Sequence, residues 1–251
     1  MTRTRKSVGR ITFVGAGPGD PGLLTRRAWD ALTEADHIVY DIAVPEALLF
    51  AVRAAVEAAA DPEHSPEFSP AEGIPGDVAK ILLTTARAGR RAAHLVLGDP
   101  FGHDSVVKEV QAVARTSVPF EVVPGVGQAS GVATYAGVPL GTAQTTVEAE
   151  DIGALNFDLL AAATKGGLAM AAEAASLGQI RDGLIGAGVD PNSPVAVTGD
   201  GTGETQYTAS STVDGLVESA LGFTGRVVLT FGSGVTHRDK LGWWENRPLY
   251  G

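Results

Sequence analysis

Four short apolar runs in the first half of the chain each stop at a small or polar loop, and helical spacing follows each stop. Ile11 to Val14 ends in Gly15-Ala16-Gly17-Pro18-Gly19-Asp20-Pro21-Gly22. His37 to Tyr40 is closed by Asp41, Ala93 to Leu97 by Gly98-Asp99-Pro100, and Phe120 to Val123 by Pro124-Gly125. Leu24, Ala28, Ala31, Leu32 and Ala35 recur as one face of a helix. Further helices are predicted from Pro45 to about Ala60, Val78 to Ala88, Ser105 to Arg115, and over about 128–136. Alternation of this kind implies a mostly parallel sheet with right-handed crossovers. The expectation is an α/β fold whose ligands lie beyond the carboxyl ends of the strands.

Two stretches stand apart. Residues 61–76, with four prolines and two glycines, read as a long loop. The pattern is less crisp after Pro139-Leu140-Gly141. Strands are predicted near Thr145–Val147, Leu168–Ala171, Val195–Thr198, Gln206–Ser210 and Arg226–Phe231. Helices are predicted near Phe157–Ala163, Ile180–Ala187 and Val213–Ala220. The expected organisation is a basic arm over 1–10, one α/β domain over 11–140 and a second over 141–251.

Composition narrows the classes of function. The 251 residues carry a formal charge of −10, which argues against nucleic acid as a partner, since phosphate binding needs a positive footprint. Without cysteine there is no disulfide, iron–sulfur cluster, thiolate zinc site or thiol nucleophile. No apolar run approaches a membrane span, and no signal core follows the basic start. A cytoplasmic protein is expected.

The first glycine loop invites a dinucleotide reading and fails it. The pattern G-x-G-x-x-G needs glycine at 20, where Asp20 would repel a pyrophosphate. Pro18 and Pro21 also oppose a tight helix start. Asp41 and Asp99 follow strands directly; each can serve as a base or ligand-binding group, or simply cap a turn. The five histidines show no metal-ligand spacing. His94 reads as a packed residue inside a strand, and His103 as the histidine nearest the strand-end loops. Trp243-Trp244 reads as packing the tail onto the second domain.

Together these loops are more specific than any one alone. Val14-Gly-Ala-Gly-Pro-Gly-Asp-Pro-Gly-Leu-Leu-Thr25, Val39-Tyr-Asp41, Gly98-Asp-Pro-Phe101, Pro119-Phe-Glu-Val-Val-Pro-Gly-Val126 and Tyr135-Ala-Gly-Val-Pro-Leu140 resemble the tetrapyrrole (class III) S-adenosylmethionine-dependent methylases. So do Pro194-Val-Ala-Val197 and the tail Arg238-Asp-Lys-Leu-Gly-Trp-Trp-Glu-Asn-Arg-Pro-Leu-Tyr-Gly251. Within that family the pattern is similar to the members that methylate uroporphyrinogen III at C2 and C7 to precorrin-2, on the way to sirohaem or cobalamin. The resemblance implies two α/β domains with a cleft between them, a homodimer, and a tetrapyrrole as the small-molecule substrate. It also implies cofactor contacts at Pro18, Leu97, Gly98, Asp99, Gly102, Gly127, Gln128, Met170 and Gly201, with Asp41 as proton acceptor. S-adenosyl-L-homocysteine would be the product form of the cofactor. Some such chains are fused to a uroporphyrinogen-III synthase, and the tail resembles that junction.

The chain departs from the family where cations are usual. Residues 61–76 hold no lysine or arginine, His94-Leu-Val-Leu-Gly-Asp-Pro100 stands for Arg-Leu-Lys-Gly-Gly-Asp-Pro, Gly102-His-Asp-Ser105 for Gly-Arg-Gly-Gly, and Gly141-Thr-Ala for Thr-His-Arg. Uroporphyrinogen carries eight carboxylates, so each loss weakens its hold. The expectation is a methylase of weak turnover; the alternative is a non-catalytic cofactor-binding module.

Overall fold

Strands in the first half line up because the residues between them are helices with one apolar face. The order is β1 (Ile11–Gly15), α1 (Arg26–Thr33), β2 (His37–Tyr40), α2 (Glu46–Ala59), β3 (Glu67–Pro70), α3 (Pro75–Arg87), β4 (Ala92–Val96), α4 (Asp104–Ala114) and β5 (Phe120–Val123). The computed structural model describes residues 7–59, 66–245 and 247. Most of the expected basic arm and the end of the expected fusion junction lie outside these.

The strands form one sheet in the order β3-β2-β4-β1-β5, and every pairing is parallel. Ile11 and Phe13 point to the face covered by α3 and α4, while Val14 points to the face covered by α1 and α2. This is the period-two alternation of a sheet buried on both sides. Helix α1 starts where the Thr25 hydroxyl accepts the Ala28 amide at 3.1 Å. Helix α3 starts earlier than predicted, at Pro75, whose fixed φ suits a first turn.

Residues 61–76 are not one long loop. Residues 61–65 lie outside the described residues, but β3 pairs with β2 from His37↔Glu67 to Tyr40↔Pro70. Proline is tolerated because β3 is an edge strand, with no ladder on its outer side. A buried histidine fastens it: His37 bridges the Ser69 hydroxyl (2.8 Å) and the Thr85 hydroxyl (3.1 Å). Burial lowers the His37 pKa, opposed by Glu67 and helped by Arg90. His94 packs as expected: it is buried on β4, 2.8 Å from the equally buried Glu109 of α4.

The second unit begins at Gln128. It contains α5 (Gln128–Tyr135), β6 (Gln144–Glu148), α6 (Phe157–Ala163), β7 (Gly167–Glu173), α7 (Leu177–Gly186), β8 (Pro194–Gly199), β9 (Tyr207–Thr212), α8 (Leu216–Ser219), β10 (Arg226–Phe231) and α9 (Arg238–Leu241). Its sheet runs β6-β7-β10-β8-β9, with β6 and β7 parallel and the remaining pairings antiparallel. Helices α6 to α8 cover one face around Met170, Val197 and Leu229. On the other face, Ala129, Val132 and Ala133 of α5 pack on Ala169, Ala171 and Val228. That packing sets the division of the chain between Gly127 and Gln128, ahead of the expected 140/141. Helix α8 is shorter than the predicted Val213–Ala220, because Gly215 caps a turn closed on the Thr212 hydroxyl at 3.3 Å.

Candidate functional site

In the first unit, three strand-end loops are fastened to one another by backbone. The Gly17 amide donates to the Gly98 carbonyl at 3.1 Å and the Gly98 amide to the Gly17 carbonyl at 2.8 Å, a bridge joining the loops after β1 and β4. Gly17 and Gly98 both adopt positive φ, 71° and 72°, which glycine reaches at no steric cost. The third loop closes in as tightly: a Cβ on Gly15 would meet the Gly125 nitrogen at 2.4 Å, and a Cβ on Gly125 would meet the Gly98 oxygen at 2.2 Å. Side chains are therefore excluded between the loops, which pack backbone against backbone.

Asp99 ties this arrangement together. One carboxylate oxygen accepts the Phe101 amide at 2.9 Å and the other the Gly125 amide at 3.0 Å. The capping role weighed from the sequence is present, and the same side chain also spans to the loop after β5. Its loss would leave two backbone donors without their acceptor. Pro18 is buried in the first loop, and Asp20 caps the turn at Pro21–Leu23 by accepting the Gly22 amide at 2.7 Å.

Leu97 is buried and its carbonyl accepts His103 Nε2 at 2.8 Å. His103 is thus a brace between the β4 end and the start of α4. Gly102 closes the turn after Pro100, donating to the Asp99 carbonyl at 3.0 Å. Asp41 follows β2 at the same end of the sheet as Leu97; its amide donates to the Leu95 carbonyl at 2.9 Å. Its carboxylate accepts the Ala43 amide at 3.0 Å and stays partly exposed. Gly127, half-exposed, ends the loop after β5.

In the second unit, the predicted residues fall in three places. Gln128 opens α5 and its carbonyl oxygen accepts Arg226 Nε at 3.0 Å. Arg226 also pairs with Glu148 at 3.1 Å, and Glu148 accepts the Ala129 amide at 3.2 Å. This network pins the α5 N-terminus to β6 and β10. Met170 is fully buried in the middle of β7, paired with Val147 and Leu229 on either side. Gly201 lies in the loop after β8, pressed on α5: a Cβ there would meet Val132 at 2.4 Å.

That loop holds what sequence reasoning missed. Asp200 and Thr202 adopt positive φ, 48° and 67°, although neither is glycine. The Thr202 amide donates to Gln206 Oε1 at 2.7 Å, and Trp244 Nε1 donates to the Gly203 carbonyl at 2.9 Å. Trp244 stacks within 4.7 Å of Tyr135 and carries the Arg247 guanidinium 3.4 Å above its ring. The tail tryptophans pack on α5 and this loop, in accord with the packing role expected of them. The Gly201-Thr-Gly-Glu-Thr-Gln206 spacing was the available signal, a polar residue one short turn after a glycine loop.

Comparison with known proteins follows the same outline. The model of the family described as Tetrapyrrole (Corrin/Porphyrin) Methylases matches residues 10–217. Siroheme synthase 3 of Aeromonas hydrophila is 35% identical over 95% of this chain and 52% of its own length. A siroheme synthase of Escherichia coli is 33% identical over 95% and 53%. The chain spans about half the length of the curated relatives it matches. Among solved structures, uroporphyrin-III-C-methyltransferase from Thermus thermophilus superposes with a TM-score of 0.74 at 26% identity, covering 93% of this chain and 96% of that one. The Thermus thermophilus enzyme complexed with S-adenyl homocysteine superposes with the same TM-score and identity, over 91% and 99%.

Proposed function

The chain belongs to the tetrapyrrole methylase family, and from that premise we propose that it binds S-adenosylmethionine and methylates a tetrapyrrole, namely uroporphyrinogen III at C2 and C7 to give precorrin-2. The observation that carries this reading is the close packing of the loops after β1, β4 and β5 through Gly15, Gly17, Gly98 and Gly125, fastened by Asp99 at the carboxyl ends of the strands. Backbone packed this closely gives the three loops one fixed arrangement at the end of a parallel sheet where α/β folds take their ligands. That position suits the loops to a cofactor-binding role. The residues assigned to holding the cofactor are Pro18, Leu97, Gly98, Asp99, Gly102, Gly127, Gln128, Met170 and Gly201. Bound S-adenosylmethionine supplies an electrophilic methyl group on a sulfonium.

The chain's own chemistry is modest. Asp41, partly exposed at the end of β2, takes the proton released when a pyrrole carbon is alkylated. Its acceptor bond from Ala43 fixes the carboxylate in place. Asp99 holds three loops in register and so sets their arrangement.

One observation favours a second reading, a cofactor-binding module with little turnover. A substrate with eight carboxylates needs cations, yet Arg226 is engaged by Glu148 and Gln128, and Arg238 by Glu245 at 2.6 Å. The test joins calorimetry with S-adenosylhomocysteine to a methylation assay on enzymatically made uroporphyrinogen III, read by absorption of the oxidised product. Binding with slow turnover is expected. Folded protein that gives no heat with the ligand would remove the cofactor reading. Turnover equal to that of the Thermus thermophilus enzyme would remove the second reading.

A further inference from the structure

Four strands lie at sheet edges: β3 and β5 in the first sheet, β6 and β9 in the second. An edge strand leaves one side of its backbone unpaired, and proteins blunt such edges with charge, proline or short length. β3 carries Glu67 and Pro70, β5 is four residues long and carries Glu121, and β6 carries Glu148. β9 differs from all three. Tyr207-Thr-Ala-Ser-Ser-Thr212 is six residues long and holds neither a charge nor a proline. Its register with β8 runs unbroken from Pro194↔Thr212 to Gly199↔Tyr207, with no bulge to twist it away. Among the described residues, no backbone group of β9 is bonded to any strand or loop other than β8. An apolar cluster stands at its first residue. Tyr207 is 60% exposed with its ring 6.0 Å from that of Phe223, and Leu221 nearby in sequence is 80% exposed.

The neutrality of this strand selects its partner. The chain has a formal charge of −10, so net repulsion opposes the approach of a second copy. Like charges opposite one another in a strand pair are destabilising, and β9 brings none. Antiparallel pairing of β9 with its own copy is isologous and closes after two chains. It joins two five-stranded sheets and leaves neither β9 edge open. We propose that the outer edge of β9 is an interface with a second copy of this chain, formed by antiparallel addition of strand to strand. Backbone hydrogen bonds set its register, and Tyr207 and Leu221 add apolar area at both ends. The two-fold axis falls at the middle of the strand, beside the exposed Ser210.

The test is sedimentation equilibrium of wild-type protein, Ser210→Lys and Ser210→Asp. Wild-type protein is expected to be a dimer. Ser210 is exposed, so thermal melting of either variant should be unchanged. Each variant sets like charges beside the axis and is expected to raise the dimer dissociation constant about tenfold. An equimolar mixture of the two is expected to restore dimers, because lysine then faces aspartate. If one variant does not fold, the other carries the same expectation. A monomeric wild-type protein would overturn the proposal. So would a dimer that the folded variants leave unchanged, since the contact would then lie elsewhere. Tighter association of Ser210→Lys would mean that net charge governs pairing and not the β9 edge. Two folded variants that stay apart on mixing would show that the strands do not meet at Ser210.

Discussion

The loops after β1, β4 and β5 and the loop after β8 reach a fixed shape by opposite means. In the first unit the shape comes from subtraction: Gly15, Gly98 and Gly125 lack the Cβ atoms that would push the backbones apart. In the second it comes from added side chains. Asp200 and Thr202 are held in a conformation that costs roughly 1–3 kcal/mol each for a residue with a Cβ. Gln206 and Trp244 supply the bonds that keep the loop there. A backbone packed against backbone is rigid but intolerant, whereas a clamped loop can be relaxed one bond at a time.

The comparison is broken most severely at Gly125. An alanine there places its Cβ against the Gly98 carbonyl, with backbone on both sides and no flexible side chain to yield. Destabilisation of about 3 kcal/mol is expected, at the upper end of overpacking. Urea unfolding measures it, and a loss below about 1 kcal/mol would mean that the loops part easily.

Asp99 tests the same loops by subtraction. Asp99→Ala abandons two backbone amides, and a charged acceptor is typically worth about 1.5–3 kcal/mol. The expected loss is about 2 kcal/mol, with Asp99→Asn recovering part of it through its one remaining acceptor. If melting is unchanged for Asp99→Ala, the bridge from β4 to the Gly125 loop carries no stability.

The smallest effect is expected in the second unit. Thr202→Gly removes the left-handed penalty of about 1–2 kcal/mol and adds a smaller unfolded-state entropy cost of roughly 0.5–1 kcal/mol. Thermal melting should register a net change within about 1 kcal/mol, in the stabilising direction. A loss as large as that of Gly125→Ala would erase the distinction between the two kinds of loop.

What could be read in advance divides along the same line. The parallel sheet was legible because each strand of the first half runs straight into a small-residue loop and then an amphipathic helix, all local features. Strand β3 was not, since Pro70 reads as a breaker unless it is known that the strand has a neighbour on one side only. Helix α5 gave no sign of which sheet it covers, because Ala129, Val132 and Ala133 suit either. The dual use of Asp99 was half visible: a cap two residues away can be foreseen, a bond to Gly125 across 26 residues cannot. Gln206 escaped notice because its meaning lies in the left-handed backbone of Thr202, and the Trp244 bond spans 41 residues.

The anchor at Trp244 also has a consequence in time. During synthesis the loop after β8 leaves the ribosome well before its tryptophan does, and strands β9 and β10 must emerge between them. Over that interval Thr202 has its local Gln206 bond but no indole on the Gly203 carbonyl. The first unit, by contrast, has every partner of its glycine loops in hand once Gly125 has been made. One half of the chain can finish its strand-end loops while the other is still being written, and the bond to the Gly203 carbonyl waits on residue 244.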